Sequence, residues 1–222
     1  MKSLSIIINI DLNRSSKLEK TIESILDNTR REDIADITLI CDDNSTYELD
    51  YFKLPIRQVN RKAHLPATFN ELARDLKSTH VAFICDDIKV VDNGSDEFWW
   101  ESPDDADIYS IPEYDLDAYL WQSRGKLVSG VEFENFGLRK YGSDTGCSAT
   151  CTDTVLIAKV KYFNDLGGFD VNYPSSFFTE LCLRSCLDKK SYIHPFNKCT
   201  IACRRYEATG DNTRLCYEYL RK

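Results

Sequence analysis

Ser78-Thr79-His80-Val81-Ala82-Phe83-Ile84-Cys85-Asp86-Asp87-Ile88-Lys89-Val90-Val91 is the stretch that decides the fold. Its apolar run, 81–84, stops at two acids, Asp86 and Asp87. Such a run after an amphipathic helical pattern reads as a buried parallel strand. In open α/β sheets, ligands bind just beyond the carboxyl ends of the strands. Two adjacent carboxylates there repel each other unless a cation or a hydrogen-bond donor lies between them. A single pair is most simply an acidic turn after a strand. The chain carries the pattern twice: Leu39-Ile40-Cys41-Asp42-Asp43 precedes Phe83-Ile84-Cys85-Asp86-Asp87. Two strands that deliver acid pairs to one sheet edge predict a site there.

With 222 residues the chain is long enough for one large α/β domain and a substantial core. A net charge of −8 speaks against a broad nucleic-acid or anionic-membrane surface, since both partners would be repelled. The opening apolar stretch, 4–8, is too short for a secretory core or a membrane span. A cytoplasmic protein without a transmembrane segment is therefore expected, in a compartment where thiols stay reduced. Nine cysteines and three scattered histidines, His64, His80 and His194, lack the spacing of a zinc site. Most of the cysteines read as small hydrophobes.

Working outward, isoleucine-rich residues 4–10 predict the first strand. Ser16 and Glu19 form a capping box for a helix whose Leu18, Ile22, Ile25 and Leu26 share a face. Residues 37–41 and 55–59 predict two more strands. Pro66 suits the first turn of a second helix, with Phe69, Leu72, Ala73 and Leu76 turned to the sheet. The first ninety residues thus alternate β-α-β-β-α-β, the order of a doubly wound, mostly parallel central sheet. No glycine-rich phosphate loop follows the first strand, so a metal on the acids is the substitute means of holding phosphates. Beyond residue 93 the pattern loosens: 106–111 suggests a strand, and 120–146 reads as irregular, either an acceptor surface or loop packing. A strand at 154–158, a short helix at 159–166 stopped by Gly167-Gly168, a helix at 179–190 and one or two strands within 193–202 complete the chain.

Several segments resemble the GT-A glycosyltransferases of the large family-two type, inverting enzymes that use nucleotide-sugar donors. They are Ile-Ile-Ile-Asn-Ile-Asp-Leu-Asn-Arg at 6–14, Cys-Asp-Asp-Asn-Ser-Thr at 41–46, Ala-Thr-Phe-Asn at 67–70 and Phe-Ile-Cys-Asp-Asp-Ile at 83–88. Leu-Gly-Gly-Phe-Asp at 166–170 and Glu-Leu-Cys-Leu-Arg at 180–184 follow in the same order. The likeness spans nearly the whole chain. It implies a single GT-A, Rossmann-like domain over 1–222, with a nucleotide-binding half at 1–92. The acceptor-binding half at 93–222 would carry a small antiparallel or irregular region.

The resemblance also implies roles. Leu12 and Asn13 would border the base and ribose, Asp42 would take the base edge, and Asp43 would support the turn. Asp86 would face ribose or sugar hydroxyls. Asp87 would ligate a divalent cation, manganese or magnesium, bridging the diphosphate. Glu180 would be the catalytic base. The partners implied are a nucleoside-diphosphate sugar donor and a glycan or other hydroxyl acceptor, and no nucleic acid. The chain departs from the family at Cys85, which replaces the first acid of Asp-x-Asp. It departs again at Phe177-Phe178-Thr179, where an acidic pair usually stands, and near Cys203, where a metal-binding histidine often lies. A metal-assisted glycosyltransferase is the expected function. A non-catalytic nucleotide-sugar-binding or scaffold protein on the same fold is the alternative, and a nucleotidyltransferase would need a basic, glycine-rich stretch that 11–15 is not.

Overall fold

The computed structural model describes residues 2–10, 18–42, 47–61, 64–85, 88–92, 107–110, 113–115, 120–121, 124–128, 132–136, 155–174, 177–187, 193–195 and 199–203. Their order begins β1 (Leu4–Asn9), α1 (Leu18–Asp27), β2 (Ile34–Cys41), β3 (Ile56–Asn60), α2 (Leu65–Arg74), β4 (His80–Cys85) and β5 (Ile88–Asp92). It continues with β6 (Ile108–Ser110), β7 (Glu113–Asp115), β8 (Leu120–Trp121), β9 (Arg124–Val128), β10 (Glu132–Phe136) and β11 (Val155–Lys159). The last elements are α3 (Val160–Asp165), α4 (Phe177–Leu187), β12 (Ile193–Pro195) and β13 (Cys199–Cys203). Among the described residues no helix is long and apolar enough to cross a membrane.

The central sheet runs β12-β6-β11-β4-β1-β2-β3. Strands β1 to β4 are mutually parallel; β11 lies antiparallel to both β4 and β6. The chain leaves β1 for β2 and β3 on one side. It then crosses back through α2 to place β4 on the other side of β1. This is the doubly wound, mostly parallel sheet expected from the alternation of elements.

Strand alternation sends successive side chains to opposite faces. Ile6 and Ile8 of β1, Leu39 of β2 and Ile84 of β4 pack under α1, with Leu18, Ile22, Ile25 and Leu26 as the helix's buried stripe. Ile7, Ile40, Val81 and Phe83 face the other way, against α2, α3 and α4. On that side Phe83 is edge-on to Phe69 at 5.0 Å and to Phe169 at 4.9 Å, geometries that favour aromatic pairs. Phe69 and Ala73 of α2 are buried as their spacing predicts, and Leu72 and Leu76 are partly buried beside them.

Two expectations need amendment. Residues 120–136 contain strands where irregular structure is expected: β9 and β10 form an antiparallel pair that sets Lys126 opposite Glu134. The period-2 signal there is blurred by Gly125 and by the successive apolar residues Leu127 and Val128. Helix α4 begins at Phe177, two residues before the expected start, because Phe177 and Phe178 join the aromatic cluster and pull the first turn onto the sheet.

The turn after α3 needs both its glycines, at φ +85° for Gly167 and +75° for Gly168. A Cβ on Gly168 would stand 2.5 Å from Asn70 Oδ1. Asn70 cannot swing away without loss, since its amide donates to Phe169 O at 2.8 Å and accepts from Phe169 N–H at 2.7 Å. Gly167→Ala meets open space and carries only the backbone strain. Gly168→Ala is therefore expected to lower the unfolding free energy by about 2–4 kcal/mol and Gly167→Ala by about 1–2 kcal/mol, measured by urea denaturation. Equal losses for the two variants would contradict the close approach to Asn70.

Candidate functional site

The parallel register fixes which residues share the carboxyl edge of the sheet. Asn9, the last residue of β1, is level with Ile40 on β2 and with Cys85 on β4. Cys41 and Cys85, which end β2 and β4, therefore reach the same edge, offset by one residue. Strands β2 and β4 flank β1, so their ends lie about 10 Å apart across it. Between the ends of β1 and β4 the chain's winding reverses, the place where open α/β sheets form a crevice.

On the β2 side three side chains meet. Arg61, directly after β3, donates its backbone N–H to Cys41 O at 2.8 Å and so extends the β2–β3 ladder by one step. One guanidinium Nη donates to Asn9 Oδ1. The Nε lies 3.0 Å from Asp42 Oδ1, an ion pair whose buried N–H is not aimed along that line and makes no aligned hydrogen bond. Tyr47 is held against β3. Gln58 accepts from Tyr47 N–H at 3.0 Å and donates to Tyr47 O at 2.7 Å, a side chain standing in for a strand.

Cys41 is buried under α1. Burial first, then the neighbouring Asp42 charge, push its thiol pKa up from the ordinary value. It stays protonated at neutral pH and serves as a small core residue. Cys182 is likewise buried and in no disulfide.

Glu180 lies in the first turn of α4 as expected, but its surroundings are those of a brace. It is fully buried, with 0% exposure. Arg184 donates Nε to Oε1 at 2.9 Å and an Nη to Oε2 at 2.8 Å, a two-point fork on the carboxylate. The same guanidinium donates to Leu166 O, and to Gly168 O at 2.6 Å. Glu180 thus orients Arg184, and Arg184 holds the Gly167-Gly168 turn through two backbone carbonyls, while Asn70 holds the backbone of Phe169. Charge-assisted bonds of this kind are the stronger ones.

Of the other expected site residues, Leu12, Asn13, Asp43, Asp86 and Asp87 lie outside the described residues. Among the described residues no group of three or more His, Cys, Asp or Glu could hold a metal ion. In the sequence, Asp86 and Asp87 are the two residues between β4 and β5. Paired carboxylates supply the hard oxygen donors that magnesium or manganese takes. Asn9 and Arg61 were not singled out from the sequence. Their signal was position alone, a polar residue closing an apolar strand and a cation just past the next one.

No protein-family model and no curated protein matches the chain. Solved structures do. GalNAc-T7 with UDP, GalNAc and Mn2+ superimposes with a TM-score of 0.67 at 16% identity, over 99% of this chain and 47% of its own. S. aureus TarS 1-349 gives 0.63 at 14% identity, over 99% and 65%. The mannosyltransferase PcManGT from Pyrobaculum calidifontis, in complex with GDP-Man and Mn2+, gives 0.59 at 11% identity, over 100% and 61%. The chain has the GT-A fold of these glycosyltransferases, and it spans between about half and two-thirds of their length.

Removing Glu180 takes two charge-assisted bonds from Arg184, which is itself 27% exposed and keeps its bonds to Leu166 O and Gly168 O. Glu180→Ala is expected to cost about 1–3 kcal/mol in unfolding free energy. An unchanged denaturation midpoint together with lost turnover would instead return Glu180 to proton transfer.

Proposed function

We propose that the chain is a metal-assisted glycosyltransferase that moves a sugar from a nucleoside diphosphate to an acceptor hydroxyl. The observation that carries this reading is the carboxyl edge at the winding reversal: the Asn9–Asp42–Arg61 cluster on one flank, and the β4 end that leads into Asp86-Asp87 on the other. The solved structures of the same fold bound to UDP or GDP-Man with Mn2+ support it.

Geometry favours a division of labour. Carboxylates bind a hard cation at about 2.0–2.6 Å, whereas the ends of β2 and β4 are about 10 Å apart. Asp42 and Asp87 are therefore assigned to different parts of the donor. Asp42, already paired with a cationic side chain, reads the base or ribose beside Leu12 and Asn13, with Asp43 in its turn. Asp86 faces ribose or sugar hydroxyls, and Asp87 holds the cation. When bound, that cation supplies Lewis-acid stabilisation of the departing diphosphate. The acceptor is a glycan or another hydroxyl compound.

The engagement of Glu180 favours a second reading. To take an acceptor's proton it must leave the Arg184 fork. If it stays a brace, the described residues contain no other carboxylate assigned to that step, which favours a non-catalytic nucleotide-sugar-binding protein. Release of nucleoside diphosphate from a panel of UDP- and GDP-sugars with Mn2+ separates the two: turnover supports the enzyme, and binding without turnover supports the binder.

Two substitutions test the division of roles by calorimetry. Asp87→Ala is expected to abolish the manganese-dependent part of donor binding while the fold stays intact. Asp42→Ala is expected to weaken nucleoside diphosphate binding equally with and without manganese. A loss at Asp42 confined to the metal-loaded protein would place it in the cation site instead.

A further inference from the structure

We propose that Arg61 is a positioning residue for nucleotide recognition, setting the Asp42 carboxylate and the Asn9 amide as one unit against the nucleoside. The proposal rests on the reading of the carboxyl edge as the nucleotide site. Arg61 follows β3, the outermost strand on its side of the sheet, yet its guanidinium reaches past the end of β2 to β1. Its backbone is fixed by the bond to Cys41 O, so the base of the side chain does not move independently of Asp42, the next residue. One planar group thereby ties the ends of three strands.

Two physical consequences follow. A carboxylate just past a strand end samples several rotamers, and each has to be restricted when a ligand binds; restriction in advance lowers that cost. The second consequence is electrostatic. A nucleoside diphosphate is an anion and the chain carries a net charge of −8, so an unbalanced Asp42 in the crevice would repel it. Arg61 balances that charge locally. Its contacts to Asn9 and Asp42 turn the guanidinium to the strand ends, which makes it a setter of Asp42 and not a phosphate ligand.

The test uses the whole chain, with UDP and GDP, and uridine and guanosine, as calorimetric probes. Wild type is expected to bind one of the two nucleoside diphosphates. Arg61→Met is expected to weaken that nucleotide and its nucleoside by the same factor, about tenfold, with the manganese dependence retained. The Arg61→Met/Asp42→Asn double variant is expected to bind no more weakly than the weaker single variant, because both remove one unit. Arg61→Lys keeps a charge beside Asp42 without the fork and is expected to recover part of the affinity; it also guards against misfolding of the methionine variant. Unchanged affinity in Arg61→Met overturns the proposal. So does a loss seen with the diphosphate but not the nucleoside, which would make Arg61 a phosphate contact, and so do multiplicative losses in the double variant. Wild type that binds neither UDP nor GDP would refute the nucleotide site itself, a different failure from an inert Arg61.

Discussion

Strand β4 has a parallel neighbour in β1 and an antiparallel neighbour in β11, and the rest of the molecule depends on that placement. The crossover through α2 carries the chain over β2 and β1 before β4 can pair. It leaves the carboxyl ends of β1 and β4 side by side. That reversal of winding is where an open α/β sheet places a ligand site. The side chains then decide its character: Asn9, Asp42 and Arg61 make the β2 flank polar and locally charge-balanced.

The opposite face of the sheet serves a different purpose. Phe69, Phe83, Phe163, Phe169 and Phe178 fill the space between the sheet and α2, α3 and α4. Into this apolar layer the chain inserts two polar clamps on one turn. Asn70 pairs with the backbone of Phe169, and Arg184, oriented by Glu180, binds the carbonyls of Leu166 and Gly168. Buried backbone groups of an irregular turn need such partners, because an unmet group in that layer costs about 1–3 kcal/mol. The clamps come from helices far apart in sequence, so the turn reports on the packing of α2 against α4.

Much of the fold could be read from hydrophobic spacing. Leu18, Ile22, Ile25 and Leu26 fall on the buried stripe of α1, and Gly167-Gly168 stop α3 where expected, both with positive φ. The β9–β10 pair was missed because Gly125 interrupts β9 and the successive apolar Leu127 and Val128 break the alternation that the charges at Arg124, Lys126, Glu132 and Glu134 otherwise keep. The site was readable only in outline. Acid pairs after strands mark an edge from sequence alone, but Arg61 matters only because β3 pairs with β2 in one register. Glu180 shows the converse: an acid in a helix's first turn looks reactive in sequence, and although Arg184 stands at the helical i+4 spacing, its bonds to Leu166 O and Gly168 O become visible only in three dimensions.

Whether a nucleotide occupies the carboxyl edge is the central claim, and amide hydrogen exchange tests it directly. On addition of UDP or GDP with Mn2+, peptides covering residues 9–13, 42–47, 61–64 and 85–88 should gain protection. Peptides at the opposite edge, around 2–4 and 77–80, should exchange as before. Protection confined to that opposite edge, or to α3 and α4, would contradict the account.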